Sequence, residues 1–319
     1  MMPLLKILQD GAFHSGEKLG EALGVSRAAV WKSLQQLERQ YGVKVNTVRG
    51  KGYCLSEPLS LLDASLIDGR SLNLKEVSAL PTVDSTNAEA LRRIHVGVQA
   101  PFLVTAEQQT AGRGRRGRSW FSPFGLNLYY SLALRLVQGA RQLEGISLVV
   151  GLAVLKTVRE FGLADAGLKW PNDVLVGEKK LAGILLELVG DPADICHVVI
   201  GIGINANLSI DSAEIDRPWT SLRIETGAIQ DRNYLASRLN FHMAAYLKRH
   251  KEFGFAKLAQ EWRDADLWMG KQVSLSAGTG EIVGTSLGID ESGALRLLVD
   301  GLEKTFSGGE LSLRLRHDS

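Results

Sequence analysis

Lys169-Trp170-Pro171-Asn172-Asp173 leads into Val174 to Val176 and then, across the turn Gly177-Glu178-Lys179-Lys180, into Leu181-Ala182-Gly183-Ile184-Leu185-Leu186-Glu187-Leu188. A second turn at Gly190-Asp191-Pro192 precedes a third run, His197 to Asn205. Apolar runs of this length read as strands, and loops this short join antiparallel neighbours, because a parallel crossover needs a dozen or so residues. The middle of the chain is therefore expected to be an α+β sheet domain and not a doubly wound one.

Upstream, Phe102 to Ala106 and Asn127 to Leu136 read as further strands. Ile146 to Phe161 is long, apolar and unbroken, which predicts a buried helix. The polar stretch Thr82 to Asn87 leads into a helix carrying Ala88, Leu91 and Ile94. Between Leu4 and Tyr41 the apolar positions fall at helical spacing in three short segments. Ser15 and Ser26 are placed to cap the second and third, and Gly24 to end the second. The tight Gly24-Val25-Ser26 connection has helix-turn-helix spacing. Val43, Val45 and Val48, the turn Arg49-Gly50-Lys51-Gly52, then Tyr53 and Leu55 suggest a basic hairpin wing, so residues 1–60 are expected to form a winged helix. Ser26, Arg27, Lys32 and Gln35 on the third helix, with Arg49 and Lys51 on the wing, are the candidate DNA contacts. Eight Lys or Arg against five Asp or Glu in that stretch is a modest excess, and a winged helix used for protein contacts is the alternative. Trp31, beside Val30, is expected to be part of the core or an interface. After a boundary near Glu57-Pro58, residues 61–265 hold the sheet domain. From about residue 266 to 319, short strands between glycine turns predict a small SH3-like barrel.

With 319 residues, 37 Lys or Arg and 35 Asp or Glu, the chain is nearly neutral and large enough for two or three domains. Any nucleic-acid role must be regional. Cys54 and Cys196 lie far apart without metal-ligand spacing, which supports neither a disulfide nor a cysteine or histidine metal site and points to a reducing cytoplasm. No apolar stretch reaches the length of about eighteen residues expected of a membrane span, so no membrane association is expected.

Gly112-Arg113-Gly114-Arg115-Arg116-Gly117-Arg118 carries four arginines and no acid. It has neither helical nor strand periodicity and reads as a mobile anion-binding loop, since guanidinium groups fork onto phosphate or carboxylate. Other polar clusters fall at strand ends: Ser85-Thr86-Asn87, Gln109, Lys169 to Asp173, Lys180 beside Leu181-Ala182-Gly183, and Gly201-Ile202-Gly203-Ile204-Asn205. Singly, each has an ordinary alternative. Ser85 can simply cap a helix, Lys180 can be a solvated hairpin lysine, and the glycine pair at 201 and 203 lacks the third glycine of a dinucleotide fingerprint.

Together, Gly112 to Arg118 with Ser119-Trp120-Phe121-Ser122-Pro123, Lys169 to Asp173, Lys180 to Leu185, Gly201 to Asn205 and Val48 to Tyr53 closely resemble the bifunctional biotin protein ligase and biotin operon repressor family, through nearly the whole chain. The resemblance implies a central class II synthetase-like mixed sheet and an enzyme that joins biotin to ATP with Mg2+, forming biotinyl-5'-AMP and pyrophosphate. The biotinyl group then passes to a lysine of the biotin carboxyl carrier protein of acetyl-CoA carboxylase. It implies Ser85, Thr86, Asn87, Gln109, Arg113, Gly114, Arg115, Lys180 and Gly183 for biotin, and Arg118, Lys169, Asn172, Asn205 and Trp219 for the adenylate. Lys180, Arg115, Arg118 and Asp173 are the implied catalytic set, with Asp173 orienting or accepting a proton from the acceptor amine.

It further implies that biotinyl-5'-AMP acts as corepressor, that the middle domain then forms a homodimer by pairing sheet edges, and that the dimer sets two winged helices on operator DNA to repress biotin synthesis genes. Leu181 to Leu188 is the expected edge strand. The alternatives are a biotin-sensing regulator without ligase activity, a ligase without operator binding, and a lipoate ligase relative.

Overall fold

The computed structural model describes residues 1–137, 143–191, 193–209, 215, 217–277, 280–307 and 311–316. Pro192 of the second expected turn, and residues 210–214 and 216 ahead of Trp219, lie outside them. The N-terminal segment folds as α1 (Met2–Leu8), α2 (Gly16–Leu23) and α3 (Arg27–Tyr41), followed by the hairpin β1 (Val45–Val48) and β2 (Gly52–Leu55). The local signals act as read: the Ser15 and Ser26 side chains accept from the amides of Lys18 and Ala29, and Gly24 ends α2 in the left-handed conformation. Leu4, Leu5, Leu8, Leu19, Val30, Leu34 and Leu37 close its core, which also takes in Leu61 and Phe124 from the middle of the chain. Trp31 is 49% exposed, since its neighbour Val30 fills the core and a residue one step along the helix points elsewhere; of the two expectations for it, full core membership is excluded and an interface is left.

The central domain is a seven-stranded sheet in the order β3-β4-β5-β9-β8-β7-β6. Its strands are β3 (Glu76–Leu80), β4 (Phe102–Ala106), β5 (Leu128–Val137), β6 (Ala166–Lys169), β7 (Asp173–Val176), β8 (Lys179–Gly190) and β9 (Ile195–Ile204). Only β3 and β4 run parallel, joined through α4 (Thr86–His95); every other neighbour is antiparallel. One face is covered by α5 (Ile146–Glu160), which is apolar nearly all round because α7 (Arg232–Phe253) covers its far side. The period of two along β9 divides the faces. Val198, Ile200, Ile202 and Ile204 join the core under α5, while Val199 packs with Ala90, Phe102 and Val104 beneath α4, and Gly201 and Gly203 continue that second face.

The expected edge strand is corrected by this order. β8 lies between β9 and β7, and its first residues are interior. β7 stops at the Asp173–Gly183 pair, however, so from Leu185 to Gly190 only β9 pairs with β8 among the described residues.

Past α6 (Leu222–Thr226) and α8 (Ala259–Arg263), five strands form an antiparallel C-terminal sheet: β10 (Gln272–Ala277), β11 (Gly280–Ile289), β12 (Leu295–Val299), β13 (Leu302–Phe306) and β14 (Leu311–Leu315). Among the described residues no helix is long and apolar enough to cross a membrane.

Candidate functional site

Glycines shape the site face of the sheet. In the register of β8 on β9, Gly183 lies opposite Gly203 and Leu185 opposite Gly201. A Cβ on Gly203 would sit 2.5 Å from the Trp120 ring, one on Gly183 would sit 2.9 Å from Lys180 Nζ, and one on Gly201 would collide with the Asn87 amide. Bare backbone thus lets an indole and an amide lie flat on the sheet, which is why this face reads Gly-Ile-Gly-Ile.

Around this floor runs a hydrogen-bonded wall. Ser85 caps α4 through the amide of Ala88, so the ordinary alternative for it holds, and Thr86 donates through its amide and hydroxyl to Gln109 Oε1. Gln109 Nε2 donates to Ser122 Oγ at 2.9 Å. Asn87 donates to Glu187 Oε2 at 2.8 Å, and its Oδ1 lies 2.6 Å from Ser131 Oγ. Ser85, Thr86, Asn87 and Gln109, with Arg113 and Gly114, line a small recess that shares Lys180 with a cavity of about 320 Å³.

The larger cavity holds the cations. Asp173 is buried at the start of β7, with Lys180 Nζ 2.6 Å from its Oδ1 and Lys169 Nζ 3.8 Å from its Oδ2. Burial alone would raise the Asp173 pKa, but the two lysines outweigh it and hold the carboxyl below its ordinary value. Such a carboxylate is a poor proton acceptor, so of the two roles weighed for Asp173 the geometry fits orienting. Burial pushes Lys169 down to about 8 against the pull of Asp173, and its Nζ sits 4.4 Å from the Trp268 ring. Lys180 is 5.2 Å from the Trp120 ring and is not a solvated hairpin lysine.

The arginine loop folds back on itself as a tight hairpin. Gly114 N–H donates to Arg118 O at 2.7 Å, and Trp120 N–H to Gly112 O at 2.9 Å. Arg116 carries a φ of 60°, in the left-handed region. Arg115 donates to Asn172 Oδ1 and to Leu311 O of the C-terminal sheet, each at 3.0 Å, and burial lowers its pKa. Arg118 and Trp219 line the larger cavity.

Two expected adenylate contacts, Asn172 and Asn205, line the larger cavity and also bond to main chain. Asn172 Nδ2 donates to Ile184 O at 2.7 Å, and Asn205 Nδ2 donates to Thr220 O at 3.0 Å, so both amides bind main chain and brace the cavity wall. The sequence reading missed Ser131, Glu187, Arg217 and the site role of Trp120. Trp120 stood inside a quoted motif, and Ser131 carried an alternation signal on β5; for the other two only the folded sheet and loop show the placement.

On the winged helix, Arg27, Lys32, Arg49 and Lys51 are exposed, Gln35 is half-buried, and the Ser26 hydroxyl is spent on its cap. The sites lie apart in sequence, and each domain agrees with a known sequence pattern. The Biotin/lipoate A/B protein ligase family matches residues 79–205, the HTH domain 3–54, and the Biotin protein ligase C terminal domain 269–314. A biotin protein ligase from Aquifex aeolicus, solved in complex with biotin and ATP, superposes with a TM-score of 0.68 at 34% identity, covering 76% of this chain and 100% of that one. The bifunctional ligase/repressor BirA of Escherichia coli is 45% identical over 98% of this chain and 97% of its own length. That of Salmonella typhimurium is 46% identical over the same shares. With full-length agreement at this identity and all three domains in order, the chain belongs to the bifunctional ligase/repressor BirA family.

Proposed function

We propose that this chain is an ATP-dependent biotin protein ligase that also represses transcription, organised as a winged helix (1–60), a ligase domain (61–265) and a C-terminal domain (266–319). The observation that carries the ligase reading is the pair Lys180 and Lys169 sharing buried Asp173 at the mouth of a glycine-floored recess. Biotin is an apolar bicycle with a polar ureido edge and a carboxylate tail. The recess offers that edge the Ser85 to Asn87 and Gln109 network, while Arg113 to Arg115 flank it and Gly183 leaves room for the tail.

The biotin carboxylate oxygen attacks the α-phosphate of ATP, a P–O bond forms as the bond to pyrophosphate breaks, and two anions must be brought together. Lys180, Arg115 and Arg118 supply fixed positive charge for that step, with Lys169 behind them. Asp173 holds the lysines in place. Trp219 offers a flat face for adenine, and Asn172 and Asn205 brace the walls. In the second step the neutral amine of a carrier-protein lysine attacks the biotinyl carbonyl, AMP leaves, and the amine proton passes to solvent.

The residues do not fit a protein-held magnesium. Asp173 is the sole described carboxylate lining the larger cavity and is committed to two lysines. Magnesium on this reading arrives with the triphosphate, and no step is assigned to it.

Regulation follows the same site. Biotinyl-5'-AMP is the corepressor, and the homodimer pairs the open edge of β8 from Leu185 to Gly190, on which Leu188 is exposed. Operator DNA is taken by Arg27, Lys32 and Gln35 of α3, with Ser26 at its start and Arg49 and Lys51 on the wing, in the cytoplasm. Pyrophosphate release with ATP and Mg2+, run with biotin, with lipoate and with neither, tests the ligase. Biotin-dependent release supports it; binding without release makes the protein a sensor, and release on lipoate alone makes it a lipoate ligase.

A further inference from the structure

Glu187 lies on β8 two residues past Leu185, on the sheet face that carries the site; it lines the outer side of the arginine loop and touches the recess through Asn87 and Arg113, which do line it. One of its oxygens, Oε2, accepts from Asn87 Nδ2 at 2.8 Å and from Arg113 Nη2 at 3.1 Å. Asn87 is buried and rests on Gly201, with no room to move downward. Its amide has two orientations of similar shape, and a carboxylate, which can only accept, admits the one that turns Nδ2 toward Glu187 and Oδ1 toward Ser131 Oγ at 2.6 Å. A ureido ring presents both N–H donors and a C=O acceptor, so its recognition depends on which way that amide is turned. The same oxygen holds Arg113, the first arginine of the loop, against the sheet.

We propose that Glu187 is a positioning residue for the ligand recess: its carboxylate fixes the orientation of the Asn87 amide and, through Arg113, docks the arginine loop over the ureido end of the ligand. Glu187 itself touches neither substrate; it acts through Asn87 and Arg113. This rests on the biotin reading above.

The proposal separates the two substrates. Glu187 does not line the larger cavity where Lys169, Lys180 and Trp219 sit. Arg115 keeps its own anchors on Asn172 Oδ1 and Leu311 O when Arg113 is released, and Leu185 O, 3.4 Å from Asn87 Nδ2, is the only other acceptor described for that amide; Glu187→Ala therefore raises KM for biotin by about tenfold, while KM for ATP and kcat at saturating biotin stay within about twofold. Glu187→Gln keeps an acceptor for Asn87 and loses only the charge, so its KM for biotin returns to within about threefold of the parent. Loss of that charge loosens a partly exposed ion pair, and trypsin then cuts at the arginines of 113–118 about threefold faster without biotin.

The experiment measures biotin and ATP KM values from pyrophosphate release on the full chain, the parent beside both variants, with tryptic cleavage of the same samples. A KM for biotin that rises in Glu187→Ala and is restored in Glu187→Gln supports the assignment. A KM for biotin unchanged in Glu187→Ala, or a KM for ATP rising in step with it, overturns it. Should the alanine variant not fold, the glutamine variant decides: faster tryptic cleavage supports the docking role, and an unchanged rate overturns it. A parent protein that releases no pyrophosphate with biotin sinks the ligase reading instead, a separate result.

Discussion

Replacing Lys180 by alanine removes one half of the closest ion pair in the site, and chemistry and stability respond differently. For the chemistry, a fixed cation aimed at a developing phosphate charge contributes about 3–4 kcal/mol, so pyrophosphate release falls by about 10²–10³. For stability, breaking a buried pair costs about 3–5 kcal/mol because the partner charge is stranded. Asp173 is not wholly stranded, since Lys169 stays 3.8 Å away against the 2.6 Å of Lys180. Attraction falls with distance, so Lys169 supplies roughly two thirds as much, and the loss lies near the lower end, about 3 kcal/mol. The pH dependence has a definite sign. Asp173 titrates below its ordinary value, so its contribution is present above about pH 4 and is lost as pH falls through the folded value. Without Lys180 that depression shrinks, so the stability gap between parent and variant is widest near neutral pH and narrows below about pH 4. Adding Asp173→Asn to Lys180→Ala removes the stranded charge and recovers most of the lost stability with none of the activity. Calorimetry of the three proteins at pH 7 and pH 4, beside pyrophosphate release, tests this. A Lys180→Ala protein within tenfold of parent activity, or a double variant no more stable than the single, refutes the reasoning.

Lys169, at about 8, loses its charge as pH rises through that value, so kcat/KM for ATP, which reports the unliganded enzyme, declines above about pH 8; Lys169→Arg keeps its charge and flattens the profile. Gly203→Ala puts a methyl group 2.5 Å from the Trp120 ring and lifts the indole off the sheet, so calorimetric titration should show biotin affinity falling by about a hundredfold or more while circular dichroism is unchanged. Arg232 is fully buried and ion-paired with Glu107, so Arg232→Met strands that carboxylate and costs about 3–5 kcal/mol; adding Glu107→Gln restores much of it in thermal unfolding.

Elements held by local rules were legible in the sequence. Ser15, Ser26 and Gly24 punctuate the first helices because caps act within a few residues, and the antiparallel β7 to β9 region followed from loop length. The site residues were found as clusters, since Thr86, Gln109, Lys169 and Lys180 stand in short polar runs that interrupt apolar strands. Their partners were not. That Asn205 would spend its amide on Thr220 O, or that Glu187 would reach Asn87 a hundred residues earlier, depends on strand register. The edge was half missed because a strand's neighbours can stop partway along it.

The winged helix is not a loosely tethered module. Tyr41, the last residue of α3, stacks on Phe124 with ring centroids 4.2 Å apart, and Phe124 stands four residues after Trp120 on the segment that enters the site. The connecting chain is bonded along its length: Glu57 pairs with Arg223, Ser60 O accepts from Arg232 Nε, Leu62 N–H donates to Glu107 Oε1, and Asp63 N–H donates to Asn233 Oδ1. Glu107 stands two residues before Gln109, and Arg223 four residues after Trp219, so the linker is anchored beside both parts of the site. A flexible linker would let each half act alone; one that spends its backbone amides on the core gives the DNA-reading helix a defined pose. Movement of the Trp120 or Trp219 segments must then be accommodated at Phe124 or Arg223, where the winged helix is held. The winged helix is thereby packed against the segments that line the ligand site, through Tyr41 on Phe124 and Glu57 on Arg223.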